Sequence, residues 1–193
     1  MEESSFYNYE ELKGIGLKNF GKDVLISRNV KIYGSAYIEI GNNVRIDDFC
    51  ILSGSIKLGS HIHIGAATHL FAGDAAIEIE DFSCLSGRCA VYAVTDDYSG
   101  ETLTNSVICN KFKNVYKKKV LIKKHSLIGT GSTILTGVTV EEGCSFGAMS
   151  LIKKSTKPWK VYAGIPAKVI KDRKKDLLNL EESFLKEWEK QNG

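Results

Sequence analysis

The sequence predicts an all-β solenoid of six-residue repeats with a short helix at each end, and three observations predict it. Between Ile122 and Lys157 an aliphatic or aromatic residue opens each of six consecutive hexads, at Ile122, Ile128, Ile134, Val140, Phe146 and Ile152. The fifth residue of each hexad is small or β-branched: Ser126, Ser132, Val138, Cys144, Ser150 and Thr156. A period of six is a multiple of the strand period and not of the helical one, so the openers share one face of extended chain and cannot share one face of a helix. Short strands of this kind bury little individually and must stack on their neighbours to close a core.

In chain order, Ser5 to Lys13 reads as a short helix capped by Ser4 or Ser5 and closed at Gly14 and Gly16, so that residues 1–19 cover the first coil. Hexads begin at Phe20 and continue with openers Ile26, Ile32, Ile40, Ile46, Leu52, Leu58, Ile64 and Leu70. Their fifth slots are Val24, Val30, Ala36, Val44, Cys50, Ile56, Ile62 and Thr68. After an irregular patch the pattern resumes at Ile79, Leu85 and Val91, giving eighteen units, or six coils at three units per turn, over residues 20–170. From residue 171 to 193, Leu177, Leu178, Leu180, Phe184, Leu185 and Trp188 recur at helical spacing, as in a helix that caps the stack.

Composition fits one compact domain spanning residues 1–193: 43% of the residues are hydrophobic and no linker-like stretch interrupts them. A net charge of +3 is too weak to point to nucleic acid. No apolar run is long enough to cross a membrane and the first sixteen residues lack a secretory pattern, which predicts a cytoplasmic protein. Cys50, Cys89 and Cys144 fall on fifth slots, as buried reduced thiols would; neither a disulfide nor a metal is expected.

The failures of the period point to function, because a solenoid accommodates extra residues only as excursions and sites are built on such loops. Nine residues instead of six separate Leu70 from Ile79, and Asp74 occupies a slot that should be small and buried. A carboxylate there requires a bulge or a partner. A second excursion, residues 96–120, is a long protruding loop that begins with the paired carboxylates Asp96 and Asp97.

The hexads, the loop after Val91 and the closing segment from Gly147 to Lys171, with its A-G-I-P-A-K motif, resemble the left-handed parallel β-helix acyltransferases of hexapeptide-repeat type. Within them the sequence is most similar to the sugar O- and N-acetyltransferases such as the galactoside and maltose enzymes, over residues 20 to 171. The resemblance implies the left-handed β-helix, a homotrimer, and acetyl-CoA bound in the groove between subunits. It implies coenzyme contacts at Thr130, Ala148, Lys153, Lys154, Lys168 and Lys171, small residues along the pantetheine arm and lysines around the phosphates.

By the same resemblance Asp74 binds the acceptor and Asp96 stands where the family keeps a catalytic histidine; the loop of Asp97 is expected to help orient the acceptor. That departure matters, because a carboxylate titrating near about 4 is a poor base for a hydroxyl. An amine attacks a thioester in its neutral form and surrenders a proton only afterwards, to a carboxylate or to the departing thiolate. The expected reaction is therefore N-acetylation of a nucleotide-linked deoxyamino sugar, of dTDP type, for surface polysaccharide such as lipopolysaccharide. Proton handling falls to Asp96 or to His69, which lies five residues before Asp74; His61 and His125 read as exposed or edge residues. The alternatives are an O-acetyltransferase using His69 as base, a non-catalytic scaffold, and a zinc enzyme like the γ-class carbonic anhydrases. The last is opposed by the spacing of His63 and His69, which is out of register for a pair of zinc ligands.

Overall fold

The computed structural model describes residues 4–192. Its strands wind into a left-handed parallel β-helix of about seven turns with three flat faces. The first face stacks Lys31–Tyr33, the start of Ile51–Leu58, the start of His69–Ile79, Ala90–Tyr92, Thr133–Ile134 and Leu151–Ile152. The second stacks Asn19–Phe20, Ile38–Ile40, the ends of the two long strands, Val120–Ile122 and Thr139–Val140. The third runs from Val24–Ile26 through Val44–Ile46, Ile62–Ile64, Cys84–Leu85, Leu127–Ile128 and Ser145–Phe146 to Lys160–Ala163. The third face has seven parallel rungs where the hexads give six coils, because Lys160–Ala163 adds a rung beyond the last hexad.

The openers line the interior: Ile26, Leu52, Ile64, Leu70, Leu85, Val91, Ile122, Ile128, Ile134 and Val140 are buried in one continuous core. Fifth-slot residues join them, including Cys50, Cys89 and Cys144, which are free thiols, and burial pushes the Cys50 thiol up to about 11. Two slots differ from the sequence reading. Ala36 is exposed in a 3-10 turn, Ser35–Tyr37, and Ile38 takes the buried position. Asp74 is likewise exposed, and Ile77 fills the core slot. Both result from extra residues bulging at an edge of the prism, where Gly54 (φ 91°) and Gly73 (φ 54°) meet as register shifts. A Cβ on Gly54 would lie 2.2 Å from the Gly73 carbonyl oxygen, so only glycine lets the two bulges nest.

The N-terminal helix α1, Tyr9–Gly14, is capped by Asn8 in a capping box with Glu11 and not by Ser4 or Ser5. It starts late because Phe6 and Tyr7 are held against the first rung, Phe6 bridging Ser27 and Tyr7 N–H donating to the Ile26 carbonyl. The C-terminal helix α2, Leu177–Asn192, lies over the edge between the second and third faces. That edge turns through left-handed residues Asn43, His61, Phe82, His125 and Trp159, and the rings of the last four form a ladder under the helix. His61 and His125 thus stand on an edge, one of the two placements expected, but covered and not exposed: His125 is buried with its Nε2 2.9 Å from Glu181, and His61 stacks on Phe82 beneath Phe184 and Trp188.

Candidate active site

The loop predicted to begin at Asp96 leaves the solenoid two residues earlier, as an antiparallel stem pairing Val94–Asp96 with Val115–Lys117. The chain regains the second face at Val120, whose side chain is already in the core. Asp97 sets the loop's shape. One of its oxygens accepts from Ser99 N–H, and the other from the Ser99 hydroxyl and from the N–H and hydroxyl of Thr102. These bonds, the Ser99 N–H first among them, hold its carboxyl below the usual range. Asp97 is buried, and these four hydrogen bonds engage its carboxylate within the loop.

Between this loop and the edge joining the first and second faces runs a cleft of about 1130 Å³. Asp96 lines it from the loop side, with one oxygen accepting Asn105 N–H at 3.1 Å. On the solenoid side lie Phe71, Tyr92, Leu135 and Lys153, the residues that follow four successive openers on the first face. Phe71 and Tyr92 stack, with centroids 5.2 Å apart and planes 21° from parallel. Volume, carboxylate, aromatic pair and lysine suit a ligand of nucleotide-sugar size with distinct polar ends.

Asp74 stands beside this loop. It pairs with Lys117 on the returning strand of the stem at 2.8 Å, and that lysine lowers its pKa. His69 does not line the cleft; its ring meets the edge of Phe71 at 5.8 Å, so Phe71 separates it from the space that Asp96 faces.

The lysines divide by position. Lys153, Lys154 and Lys168 surround a smaller pocket of about 260 Å³ floored by Phe146, Ile152 and Tyr162. Lys153 lines both spaces, joining the basic pocket to the cleft of Asp96. Lys168 is delivered by the antiparallel return strand Lys168–Asp172, which also carries Lys171 outside this pocket. Thr130 and Ala148 are neighbours on the other edge of the first face: Met149 N–H donates to the Thr130 carbonyl, and the Thr130 hydroxyl to Gly87.

Sequence reasoning missed Phe71, Tyr92, Leu135 and Thr136. A legible signal was there, since large residues directly after openers recur one coil apart. Among the described residues no group of three or more His, Cys, Asp or Glu is placed to hold a metal, and His63 and His69 lie on different faces, His63 with Asp47 at 2.7 Å. No described helix is long and apolar enough to cross a membrane.

No protein-family model matches the chain. Among curated proteins, a dTDP-4-amino-4,6-dideoxy-D-glucose acyltransferase of Escherichia coli is 40% identical over 177 residues, 90% of this chain and 92% of the relative. Among solved structures, a mutant of AntD, an N-acyltransferase from Bacillus cereus, in complex with dTDP-4-amino-4,6-dideoxyglucose and coenzyme A, is 49% identical with a TM-score of 0.93. That match covers 95% of this chain and 98% of the other. AntD in complex with dTDP and 3-hydroxybutyryl-CoA superposes with a TM-score of 0.94. A maltose O-acetyltransferase from Clostridium difficile, 22% identical with a TM-score of 0.57 over 87% of this chain and 78% of its own, shares the fold.

Proposed function

This chain belongs to the hexapeptide-repeat sugar-nucleotide N-acyltransferases, and from that membership we propose that it moves an acyl group from acyl-coenzyme A to the amine of a dTDP-linked 4-amino-4,6-dideoxy sugar. The observation that carries the proposal is the sharing of Lys153 between the basic pocket and the cleft of Asp96. One cation sits where a phosphate-bearing donor and an amine-bearing acceptor meet.

In this reading Lys153, Lys154, Lys168 and Lys171 meet the coenzyme phosphates and Thr130 and Ala148 flank its arm. Asp96 orients the acceptor amine through the oxygen it does not lend to Asn105. Asp74 and Asp97 act through the loop. The neutral amine adds to the thioester carbonyl; as the adduct collapses, the new C–N bond is kept, the C–S bond breaks, and the nitrogen's proton passes to Asp96 or directly to the departing thiolate. His69, one ring behind Phe71, is the second candidate for the proton.

The enzyme works as a homotrimer in the cytoplasm, supplying a surface polysaccharide. Support for the trimer lies in the first face. Its outward side chains include no Lys, Arg, Asp or Glu between Lys31 and Lys153, whereas the second face carries the ion pairs Lys18–Glu39 and Lys57–Glu78–Lys119. Packing first faces about a threefold axis sets one subunit's Thr130 edge against a neighbour's Lys153 edge, completing a groove that neither edge forms alone.

The transferred group is acetyl by the sequence resemblance, and 3-hydroxybutyryl is the second donor to try, because AntD is seen with that thioester. The test is release of free thiol with each donor against dTDP-4-amino-4,6-dideoxyglucose and against its 4-hydroxy counterpart. Turnover confined to the amine supports the proposal; equal turnover of the hydroxy sugar, or none with any amino sugar, overturns it.

A further inference from the structure

The end of the β-helix beyond Leu151–Ile152 is built from the stretch that separates this last strand of the first face from α2. That stretch, Lys153 to Asp176, holds nine Lys and Arg residues and two acids, a net +7 in a chain whose net charge is +3, so the rest of the chain is on balance acidic. Charge placed so unevenly points to a partner of opposite sign. α2 leaves this end uncovered, because it climbs back toward the earlier coils, with Glu181 at His125 and Trp188 at His61. The end is closed by the hairpin of Lys160–Ala163 and Lys168–Asp172, and the outer edge of the return strand pairs with no strand among the described residues.

Lysines alone have an ordinary explanation here, since charged side chains on an edge strand block its pairing with another chain. This edge also carries residues that do the opposite. Ile165 at the hairpin turn and Val169 and Ile170 on the return strand are 72%, 51% and 61% exposed. Ile170 is the extra residue of a bulge, between Val169, which pairs with Tyr162, and Lys171, which pairs with Val161. At the other end of the hairpin, where Arg173 N–H donates to the Trp159 carbonyl, Lys157, Lys174 and Lys175 are exposed. None of these three lysines has an ion-pair partner among the described residues, and Lys175 lies over the Trp159 ring. They are distinct from Lys153, Lys154, Lys168 and Lys171, which the acyltransferase reading gives to the coenzyme.

Aliphatic tips set among flexible ammonium groups suit a bilayer of anionic lipids: the ammoniums stay with the headgroup phosphates while the tips reach the acyl boundary. Nucleic acid suits them less, because it is read through arginine forks and stacked aromatic rings. The one arginine of the stretch, Arg173, spends its Nη1 on the carbonyls of His125, Gly143 and Cys144. We infer that this end of the β-helix is a peripheral docking surface for an anionic membrane, on which the protein rests reversibly without inserting a segment. The inference goes beyond the acyltransferase reading and does not depend on it. The threefold packing proposed above leaves this end free and sets three copies of it on one side, where weak contacts reinforce one another.

The experiment sediments the whole protein with phosphatidylcholine vesicles containing about one-third phosphatidylglycerol, and with vesicles of phosphatidylcholine alone. Lys174→Glu/Lys175→Glu and Ile170→Ser are measured beside the parent, with the melting temperature of each. The parent is expected to bind the anionic vesicles at low salt, to be released toward about 1 M salt as the screening length falls to about 3 Å, and to leave pure phosphatidylcholine unbound. The double variant is expected to lose at least about tenfold in affinity for the anionic vesicles, and Ile170→Ser about threefold. Melting temperatures should match the parent's, because all three side chains are exposed. The inference is overturned if the parent stays in solution beside anionic vesicles, if it binds both kinds of vesicle equally, or if the double variant binds as the parent does. Tighter capture by duplex DNA than by anionic vesicles at the same salt also overturns it, and assigns the charge to nucleic acid.

Discussion

Lys117 Nζ lies 2.8 Å from Asp74 Oδ2, tying the returning strand of the loop to the bulge in the solenoid wall. The carboxylate that breaks the hexad pattern is thus an anchor for the loop that carries Asp96. Both side chains are largely exposed, so the pair adds little to global stability. Asp74→Asn and Lys117→Ala are each expected to leave the melting temperature unchanged and to raise KM for the acceptor several-fold. Because pairing lowers the Asp74 pKa, the tie is complete at neutral pH and is lost as pH falls through that lowered value. Unchanged KM in both variants would separate Asp74 from the site.

Asp96→Asn is expected to slow transfer to the amine by less than the roughly 100- to 10,000-fold typical of losing an essential general base. The physical reason is timing, since the amine's proton leaves after attack and the thiolate can take it. His69→Asn is the companion measurement. If it alone causes a large fall in kcat while Asp96→Asn is nearly silent, the proton acceptor is His69 acting past Phe71.

Lys168→Ala is expected to weaken coenzyme A binding at low salt, with the difference from the parent shrinking toward 1 M salt as the screening length falls from about 10 Å to about 3 Å. The fold should be intact, because Lys168 is exposed on the return strand. Affinity that is identical to the parent at every salt concentration removes Lys168 from the phosphate site.

The docking of α2 is expected to weaken on mild acidification. Burial lowers the His61 pKa, against the pull of Asp81 and Glu181 and in line with Lys124. Its Nδ1 also lies 2.9 Å from the Asn43 amide nitrogen, a contact that suits an unprotonated ring. The unfolded chain therefore binds the proton more readily, and the stability due to neutral His61 is complete above about pH 6.5 and declines below it. Melting curves between pH 7.5 and 5.5 should show this decline, and His61→Gln should flatten it. An identical decline in the variant would assign it to another group.

The sequence by itself determined the solenoid, because each opener buries its own side chain against the next coil and the six-residue period survives any detail of the turns. It also marked Asp74 and Asp96, since a carboxylate in a buried slot and an insertion in a stack both have to leave the wall. Only the tertiary structure decided what those residues touch. Asp97 turned inward because its own loop offers Ser99 and Thr102, and His125 became buried because α2 happens to cross that edge. Phe71, Tyr92 and Lys153 lie tens of residues apart in the chain, and the parallel register alone stacks them along one edge. Thr136 is an ordinary turn residue until the fold shields its hydroxyl from water and from every partner. Periodicity is local and can be read from the chain, whereas the meeting of distant edges, caps and loops depends on how the coils are stacked.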